Sequence, residues 1–265
     1  MIFFGSLLAV LIGVSLGLLG GGGAILAVPV FNYVLGFGAK EAIASSLVVI
    51  GVTSLSGILG HWREGRIRLR VALVFGLFAV AGAYLGARLA VLFSGAGQLA
   101  LFAVVMLISA FFMFRDNDKG SDKEEDNGKS ENFSVAGMSI GRAIGLAVLG
   151  MAVGILTGLV GVGGGFMIVP ALVLVGQIPI KEAAGTSLLV IAANSVSGFA
   201  GYLGEVKIQW GLLALFTVLA VAGSFAGTYL VRFVPQRMLR KTFAVFLVLM
   251  AIFILYQNWE VISFV

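Results

Sequence analysis

A glycine run interrupts an apolar segment at Gly17-Leu-Leu-Gly-Gly-Gly-Gly-Ala-Ile-Leu-Ala-Val-Pro29. The run returns at Gly158-Leu-Val-Gly-Val-Gly-Gly-Gly-Phe-Met-Ile-Val-Pro170. A helix in lipid satisfies its own backbone polar groups, and irregular backbone at membrane depth is tolerated only where protein buries it or where it lines a watery cavity. We therefore interpret the two runs as the two halves of one substrate site.

The composition predicts an all-α polytopic membrane protein. The chain has 265 residues, of which 60% are hydrophobic and 11% charged, whereas soluble domains are about 25% charged. It contains no cysteine and one histidine, so we expect no disulfide and no cysteine-based metal site. No nucleophile–base constellation appears, and we predict no enzyme activity, no catalytic residue, no metal and no cofactor. The net charge of +5 lies in short loops beside apolar spans, which is typical of membrane topology and not of nucleic-acid binding.

Eight apolar segments divide the chain. Six are near the roughly 20 residues that one crossing needs, and these are 42–60, 70–93, 98–114, 183–203, 210–234 and 238–257. The segments 2–36 and 134–176 are too long for one crossing and too short for two. The part after each glycine run reaches only ~20 Å, short of a ~30 Å hydrocarbon core. We predict a helical hairpin in each, with a long helix, a glycine break and a short returning helix.

An offset of 141 residues aligns the first half of the chain with the second. Residues 13–60 match 154–201 without a gap, with 20 of 48 positions identical. The polar stretch 115–133 holds seven of the twelve acids and reads as a solvated linker. The predicted domains are a first repeat at 1–114, a charged linker at 115–133 and a second repeat at 134–265.

Loop charges predict that the two repeats have inverted topology. Loop 61–70 carries four arginines, and its counterpart 202–211 carries only Lys207 with Glu205; the charge-free loop 94–98 has a basic counterpart. Each repeat is then a glycine-broken hairpin followed by three transmembrane helices. This arrangement puts the linker on the cytoplasmic side of the cell (inner) membrane, both termini on the periplasmic or extracellular side, and 14 of the 17 basic residues inside.

The glycine runs predict an anion site. Free backbone N–H groups at the positive end of a short helix favour anions, and the two helix ends of an inverted pair can face each other near the midplane. The alternative interpretation is close helix packing by small residues. The predicted substrate-binding glycines are Gly20, Gly21, Gly22, Gly23, Gly161, Gly163, Gly164 and Gly165.

Small polar residues recur at matched positions of the spans 42–60 and 183–203. They are Ser45, Ser46, Thr53, Ser54 and Ser56, matched by Thr186, Ser187, Asn194, Ser195 and Ser197. Their donors could replace the water shell of an oxyanion, or they could form hydrogen bonds between helices. The predicted ligands among them are Ser46, Thr53, Ser187 and Asn194. No acidic residue falls in the middle of a span, so a coupling proton or cation has no buried carboxylate to bind.

Two further small-residue motifs, Gly82-x-x-x-Gly86 and Gly223-x-x-x-Gly227, also match under the offset. This spacing lets helix backbones approach closely. We predict that both motifs are helix-packing contacts.

The chain resembles the TauE/SafE-type sulfite exporters, also called TSUP permeases, over nearly its whole length except 115–133. The resemblance rests on the paired Gly-x-x-Gly-x-Gly-Gly…Pro segments, the Lys-Glu-Ala-x-x-(Ser/Thr)-Ser-Leu starts and the Gly-His-Trp-Arg-Glu-Gly-Arg-Ile loop. It implies a bacterial-type inner-membrane permease for sulfite, sulfoacetate or other organosulfonates. The family motif falls on Gly20, Gly22, Gly23, Pro29, Gly161, Gly163, Gly164 and Pro170.

We therefore expect a secondary transporter, and specifically an exporter, of a small sulfur-containing anion. It would work by alternating access at a midplane site between the repeats, with the lipid bilayer and the anionic substrate as partners. The alternatives are a transporter of another small ion or metabolite and a membrane assembly protein without transport. The sequence does not specify the oligomeric state.

Overall fold

The structure is a computed structural model that describes residues 2–19, 22–63, 65, 67–115, 140–160, 165–174, 178, 180–230 and 236–257. Every regular element in these ranges is helical. The α-helices are α1 (Ile2–Leu19), α2 (Ala27–Pro29), α3 (Ala39–Arg63), α4 (Leu69–Ala90), α5 (Gly95–Arg115), α6 (Ile140–Val160), α7 (Gly165–Leu174), α8 (Ile180–Tyr202), α9 (Trp210–Leu230) and α10 (Gln236–Gln257). The predicted linker beyond Arg115 and the last residues of the chain lie outside the described ranges.

The chain is an all-α polytopic membrane protein. Within the described ranges, four helices are long and apolar enough to cross a membrane, namely Ala39–Leu59, Leu69–Ala90, Glu182–Tyr202 and Trp210–Leu230. Their outward faces carry large apolar side chains, and Leu73, Leu77 and Val218 are each about 70% exposed (69%, 71% and 68%). Water would make such a surface costly, whereas lipid tails are as apolar as leucine.

The segment between α1 and α3 is an irregular helix. A 3-10 turn at Gly22–Leu26 leads into α2, and a π turn at Val30–Val34 follows. Pro29 lacks an N–H group and its ring displaces the preceding turn, which explains the change of helix type. Phe31 anchors the segment, because its ring lies 5.4 Å from those of Phe37 and Phe216.

Glycines at matched positions bring helices of different repeats into backbone contact. A Cβ atom built on Gly13 would overlap the carbonyl oxygen of Ala220. Under the offset of 141, Gly13 corresponds to Gly154 and Ala220 corresponds to Ala79, and Gly154 makes the same contact with Ala79. Three further pairs of contacts obey the same offset: Gly17–Ser224 with Gly158–Ala83, Gly82–Met151 with Gly223–Val10, and Gly86–Ile155 with Gly227–Val14. Helix α1 therefore packs on α9 as α6 packs on α4, and the predicted packing role of the two Gly-x-x-x-Gly motifs is confirmed.

The order of the contacts gives the direction of the helices. Both α1 and α3 run parallel to α9, because the residue numbers of both helices rise together from one contact to the next. For α1 the contacts are Gly13–Ala220 and then Gly17–Ser224. For α3 they are Glu41–Gln209 and then Gly57–Ser224. In the second repeat, α6 and α8 both run parallel to α4, as shown by Gly154–Ala79 followed by Gly158–Ala83, and by Gly76–Val190 followed by Gly201–Ala87. Helices that precede and follow a glycine run thus point the same way.

This direction requires a returning segment in each repeat. At 1.5 Å per residue, the helical stretch from Gly22 to Val34 spans about 20 Å and α7 about 15 Å. Both are shorter than the hydrocarbon core. These lengths agree with the hairpins that the sequence predicts.

Helices α3 and α8 cross in opposite directions. Their contacts, in the order of α3, are Leu47–Gly198, Gly51–Ser195 and Gly57–Leu188. Because the offset makes α3 and α8 equivalent, equivalent helices point in opposite directions, which is the relation that an inverted repeat requires.

The helices form two bundles that mix the repeats. We call α1, α3 and α9 the first bundle, and α4, α6 and α8 the second bundle. Within each bundle the helices run in the same direction. The two bundles meet where α3 crosses α8, and we call this contact the central crossing.

Candidate functional site

The glycine breaks follow directly on tightly held helix ends. Gly17 lies against Ser224 and Gly158 lies against Ala83, each within a few residues of the run that follows. Gly22 and Gly23 open the 3-10 turn, and the buried Gly165 opens α7. The predicted site residues Gly20, Gly21, Gly161, Gly163 and Gly164 lie outside the described residues.

Tyr202 holds the end of α6 just before the second run. Its side chain is fully buried, and its hydroxyl donates to the carbonyl oxygens of Gly158 at 3.1 Å and Leu159 at 3.4 Å. The last carbonyls of a helix have no partner within the helix. The phenol therefore provides a donor for two carbonyls in the last described turn of α6.

Eight of the ten matched polar residues of the spans are buried, and Ser56 and Ser197 are half-buried. Three of the four predicted ligands donate to their own helix: Ser46 to Ile43 at 2.7 Å, Thr53 to Val49 at 2.5 Å and Ser187 to Ala184 at 2.8 Å. A hydroxyl bonded in this way keeps lone pairs to accept with, but its proton is engaged. The predicted role of these three residues as anion ligands stays a prediction.

Asn194 differs from the other predicted ligands. Its side chain is 0% exposed, and neither Nδ2 nor Oδ1 has a hydrogen-bond partner among the described residues. A buried polar group without a partner costs about 1–3 kcal/mol. Native proteins rarely keep such groups unless a ligand or water satisfies them.

The hydroxyls of Ser45, Ser54, Ser195 and Ser224 are also buried without a described partner, and the last three lie along α3. A Cβ atom built on Gly51 would lie 3.8 Å from Ser195 Oγ, and one built on Gly57 would lie 3.9 Å from Ser224 Oγ. Ser54 lies midway between these glycines, one turn from each. Ser54, Ser195 and Ser224 therefore lie along the stretch of α3 between Gly51 and Gly57, and Asn194 precedes Ser195 in the sequence of α8.

The sequence only partly indicated this cluster. Ser54 and Ser195 belong to the matched polar series but were not selected as ligands. Ser224 was missed, since the corresponding residue of the first repeat is Ala83 and the neighbouring Gly223 indicates packing. The signal that could have identified it is a hydroxyl next to a predicted helix contact.

The lining of the central crossing is electrically neutral. Besides the Tyr202 phenol, the buried polar side chains that the structure describes are serine, threonine, asparagine and glutamine, without a carboxylate or a basic group. Arg88 lies on the exposed face of α4, with its guanidinium 5.6 Å from the centre of the Tyr84 ring. It therefore points away from the crossing.

Matched residues at the helix starts are paired with unequal strength. Arg68 makes two bonds to Glu182, Nε–Oε2 at 2.6 Å and Nη2–Oε1 at 3.1 Å, and this hydrogen bonding raises the pKa of the Arg68 guanidinium. The corresponding pair in the other bundle is Gln209 Nε2 with Glu41 Oε1 at 3.4 Å. The second bundle is thus held by an ion pair and the first by a long neutral–charged hydrogen bond.

Comparison with known proteins matches a family model along most of the chain. The model described as "Sulfite exporter TauE/SafE" matches residues 6–254. A relative from Xylella fastidiosa (strain 9a5c), named "Probable membrane transporter protein", is 31% identical over 255 residues, covering 94% of this chain and 93% of the relative.

More distant relatives carry the same name. "Probable membrane transporter protein YdhB" of Bacillus subtilis (strain 168) is 28% identical over 244 residues, or 89% of this chain and 92% of the relative. "Probable membrane transporter protein MJ0441" of Methanocaldococcus jannaschii is 26% identical over 208 residues, or 74% and 72%. No solved structure matches the chain.

Proposed function

Because this chain belongs to the TauE/SafE family of sulfite exporters, we propose that it exports a small sulfur-containing oxyanion, such as sulfite or an organosulfonate. Membership of the family makes it a multi-pass membrane transporter. The proposal adds the chemical class of the substrate and the direction of transport.

The observation that carries the proposal is the set of buried neutral donors on α3, α8 and α9. Asn194, Ser54, Ser195 and Ser224 are buried and have no hydrogen-bond partner among the described residues. A hard cation would need several oxygen ligands, usually with carboxylates among them, and the described buried residues include none. Donors without a competing carboxylate favour an anion.

The glycine runs complete the proposed site. The N–H groups at the starts of the two short segments, from Gly20 to Gly23 and from Gly161 to Gly165, would meet the anion from opposite sides. Gly17 and Gly158 place the preceding helices in close backbone contact with α9 and α4 at these points. Rigid helix ends would keep the donors in place during transport.

Alternating access would come from movement of the first bundle against the second. The offset exchanges the two bundles, so tilting one against the other opens the crossing first to one side and then to the other. In this proposal the linker is cytoplasmic, both termini are on the opposite side of the inner membrane, and an ion gradient supplies the energy.

The test is flux through the purified full-length chain in proteoliposomes. We expect sulfite or 2-hydroxyethanesulfonate to cross and Na⁺, K⁺ and neutral solutes not to cross. Gly163→Val should abolish the flux, because a branched side chain would fill the second run. Gly211→Val is the matched control, since a Cβ atom at Gly211 meets no atom within 4 Å. Flux of cations without flux of any of these anions would refute the proposal.

A further inference from the structure

We propose that the substrate carries a hydrogen-bond donor in addition to its anionic oxygens, and that Oδ1 of Asn194 accepts the bond from it. The inference rests on the proposed function and narrows its substrate class. The class is a singly charged sulfur oxyanion with a hydroxyl, an amino group or an acidic hydrogen.

The first step concerns the two ends of the Asn194 amide. The amide offers two donors at Nδ2 and one acceptor at Oδ1, and neither atom has a partner in the described part of the chain. This conclusion holds for either orientation of the amide, because both atoms are unpaired. A fully deprotonated oxyanion can accept from Nδ2 but leaves Oδ1 unpaired in a buried site, so a substrate with a donor is favoured.

The second step is the asymmetry between the repeats. The residue that corresponds to Asn194 in the first repeat is Thr53, whose hydroxyl donates to Val49 O at 2.5 Å. Thr53 satisfies itself within α3, whereas Asn194 depends on a group from outside α8. The substrate would therefore bind an unpaired amide on α8, with no equivalent unpaired group at the matched position of α3.

The third step concerns charge. The serine hydroxyls of Ser54, Ser195 and Ser224 can all donate to anionic oxygens. The described buried lining contains no basic side chain to offset a second negative charge, and an uncompensated buried charge is costly. Together these features select one negative charge and one donor.

The experiment compares two sulfonates that differ in a single group. Both 2-hydroxyethanesulfonate and propane-1-sulfonate carry one negative charge and are close in size, but a methyl group replaces the hydroxyl in the second. For the wild-type chain in proteoliposomes we expect kcat/KM to favour the hydroxysulfonate by about tenfold or more, since the alkyl compound leaves a buried acceptor unpaired.

The variant Asn194→Thr tests whether the Asn194 amide causes the preference for the hydroxysulfonate. We expect it to fold, because a threonine at this position can donate to Val190 O as Thr53 does to Val49 O. Its ratio between the two sulfonates should fall to about one. The control is Ser109→Ala, which removes a buried hydroxyl that donates within α5 to Val105 O at 2.8 Å and should keep the wild-type ratio.

Each outcome decides a separate point. Equal wild-type flux of both sulfonates would overturn the inference and leave the proposed function intact. If neither crosses, the inference falls, and the sulfite flux of the same liposomes decides whether the proposed function falls as well. An unchanged ratio in Asn194→Thr would overturn the assignment to Asn194, and the wild-type ratio remains decisive if that variant does not reach the membrane.

Discussion

The absent side chain of Gly154 lets α6 lie against the backbone of α4. A Cβ atom here would overlap the carbonyl oxygen of Ala79, and overpacking of this kind costs about 1–3 kcal/mol. We expect Gly154→Ala to lower the free energy of unfolding by that amount, measured by thermal unfolding in detergent. Gly13→Ala should do the same, since it makes the corresponding contact with Ala220.

The control for Gly154→Ala is Gly211→Ala on α9. The position lies in the first turn of α9 and a Cβ atom there has open space, so alanine should not lower the stability. Equal effects of the two substitutions would contradict the role of Gly154 as a backbone contact.

The hydroxyl of Tyr202 supports the helix end before the second glycine run. Tyr202→Phe keeps the ring and removes the donor to Gly158 and Leu159, which should cost about 1 kcal/mol of stability. We also expect anion flux to fall at a temperature where the variant is fully folded, because the end of α6 positions the run. Tyr256→Phe, at a position 78% exposed, should change neither property.

At this scale the sequence predicts which residues are polar and buried but not where their protons point. Ser46 and Ser54 are the same residue type in one apolar helix, yet Ser46 donates to Ile43 O and Ser54 has no described partner. A hydroxyl in a helix can always choose the carbonyl of the preceding turn, and the neighbouring helices decide the outcome. Those neighbours lie far away in sequence.

At the scale of the helices, hydropathy predicts existence and approximate position well. The span predicted at 42–60 is Ala39–Arg63, and the span predicted at 210–234 is described as Trp210–Leu230. The length of an apolar span indicates only the part of the helix that crosses the lipid. Polar residues at its ends can extend or shorten the helix beyond that span. The packing partner of each helix cannot be predicted in this way, because a glycine spaced for packing does not indicate which helix it contacts.

The ion pair at the start of the second bundle allows a matched experiment. Glu182→Gln removes the charge that Arg68 binds with two hydrogen bonds. We expect a loss of up to about 1 kcal/mol, which added salt should mask, because the two side chains are 41% and 24% exposed and exposed pairs are weak. The measurement is thermal unfolding at low and high salt.

Glu41→Gln is the equivalent change in the first bundle. Its partner Gln209 is neutral and lies at 3.4 Å, so we expect no measurable change in stability at either salt concentration. If both variants lose the same stability, the difference between the bundles has no energetic consequence.

For the whole molecule, the sequence predicts two repeats but not how they are divided in space. The offset and the loop charges indicate two halves, 1–114 and 134–265, that move against each other. The structure instead places α1 of one repeat on α9 of the other, and α6 on α4. Among the described residues, the glycines that would meet the backbone of another helix all meet a helix of the other repeat. The bodies that we propose to move are therefore the two mixed bundles.

Cross-linking can test this division, because the chain has no native cysteine. Leu47→Cys with Gly198→Cys would join the bundles across the crossing, where a Cβ atom on Gly198 lies 3.3 Å from the Leu47 side chain. We expect oxidation of this pair to stop anion flux and reduction to restore it.

The control pair is Gly76→Cys with Val190→Cys, which joins α4 to α8 within the second bundle. Here a Cβ atom on Gly76 would lie 3.6 Å from Val190 Cγ2. Oxidation should leave flux nearly unchanged. Loss of flux in both pairs would show that the bundles are not the moving bodies.

The contact between Gly13 and Ala220 can form only after α9 has been synthesised. The two residues are separated by most of the chain, and ribosomes add about 5–20 residues per second. The groove on α1 that Gly13 forms therefore faces lipid for about 10–40 s before α9 is made. A chain released early would leave the small-residue grooves on α1 and α4 without the helices that fill them.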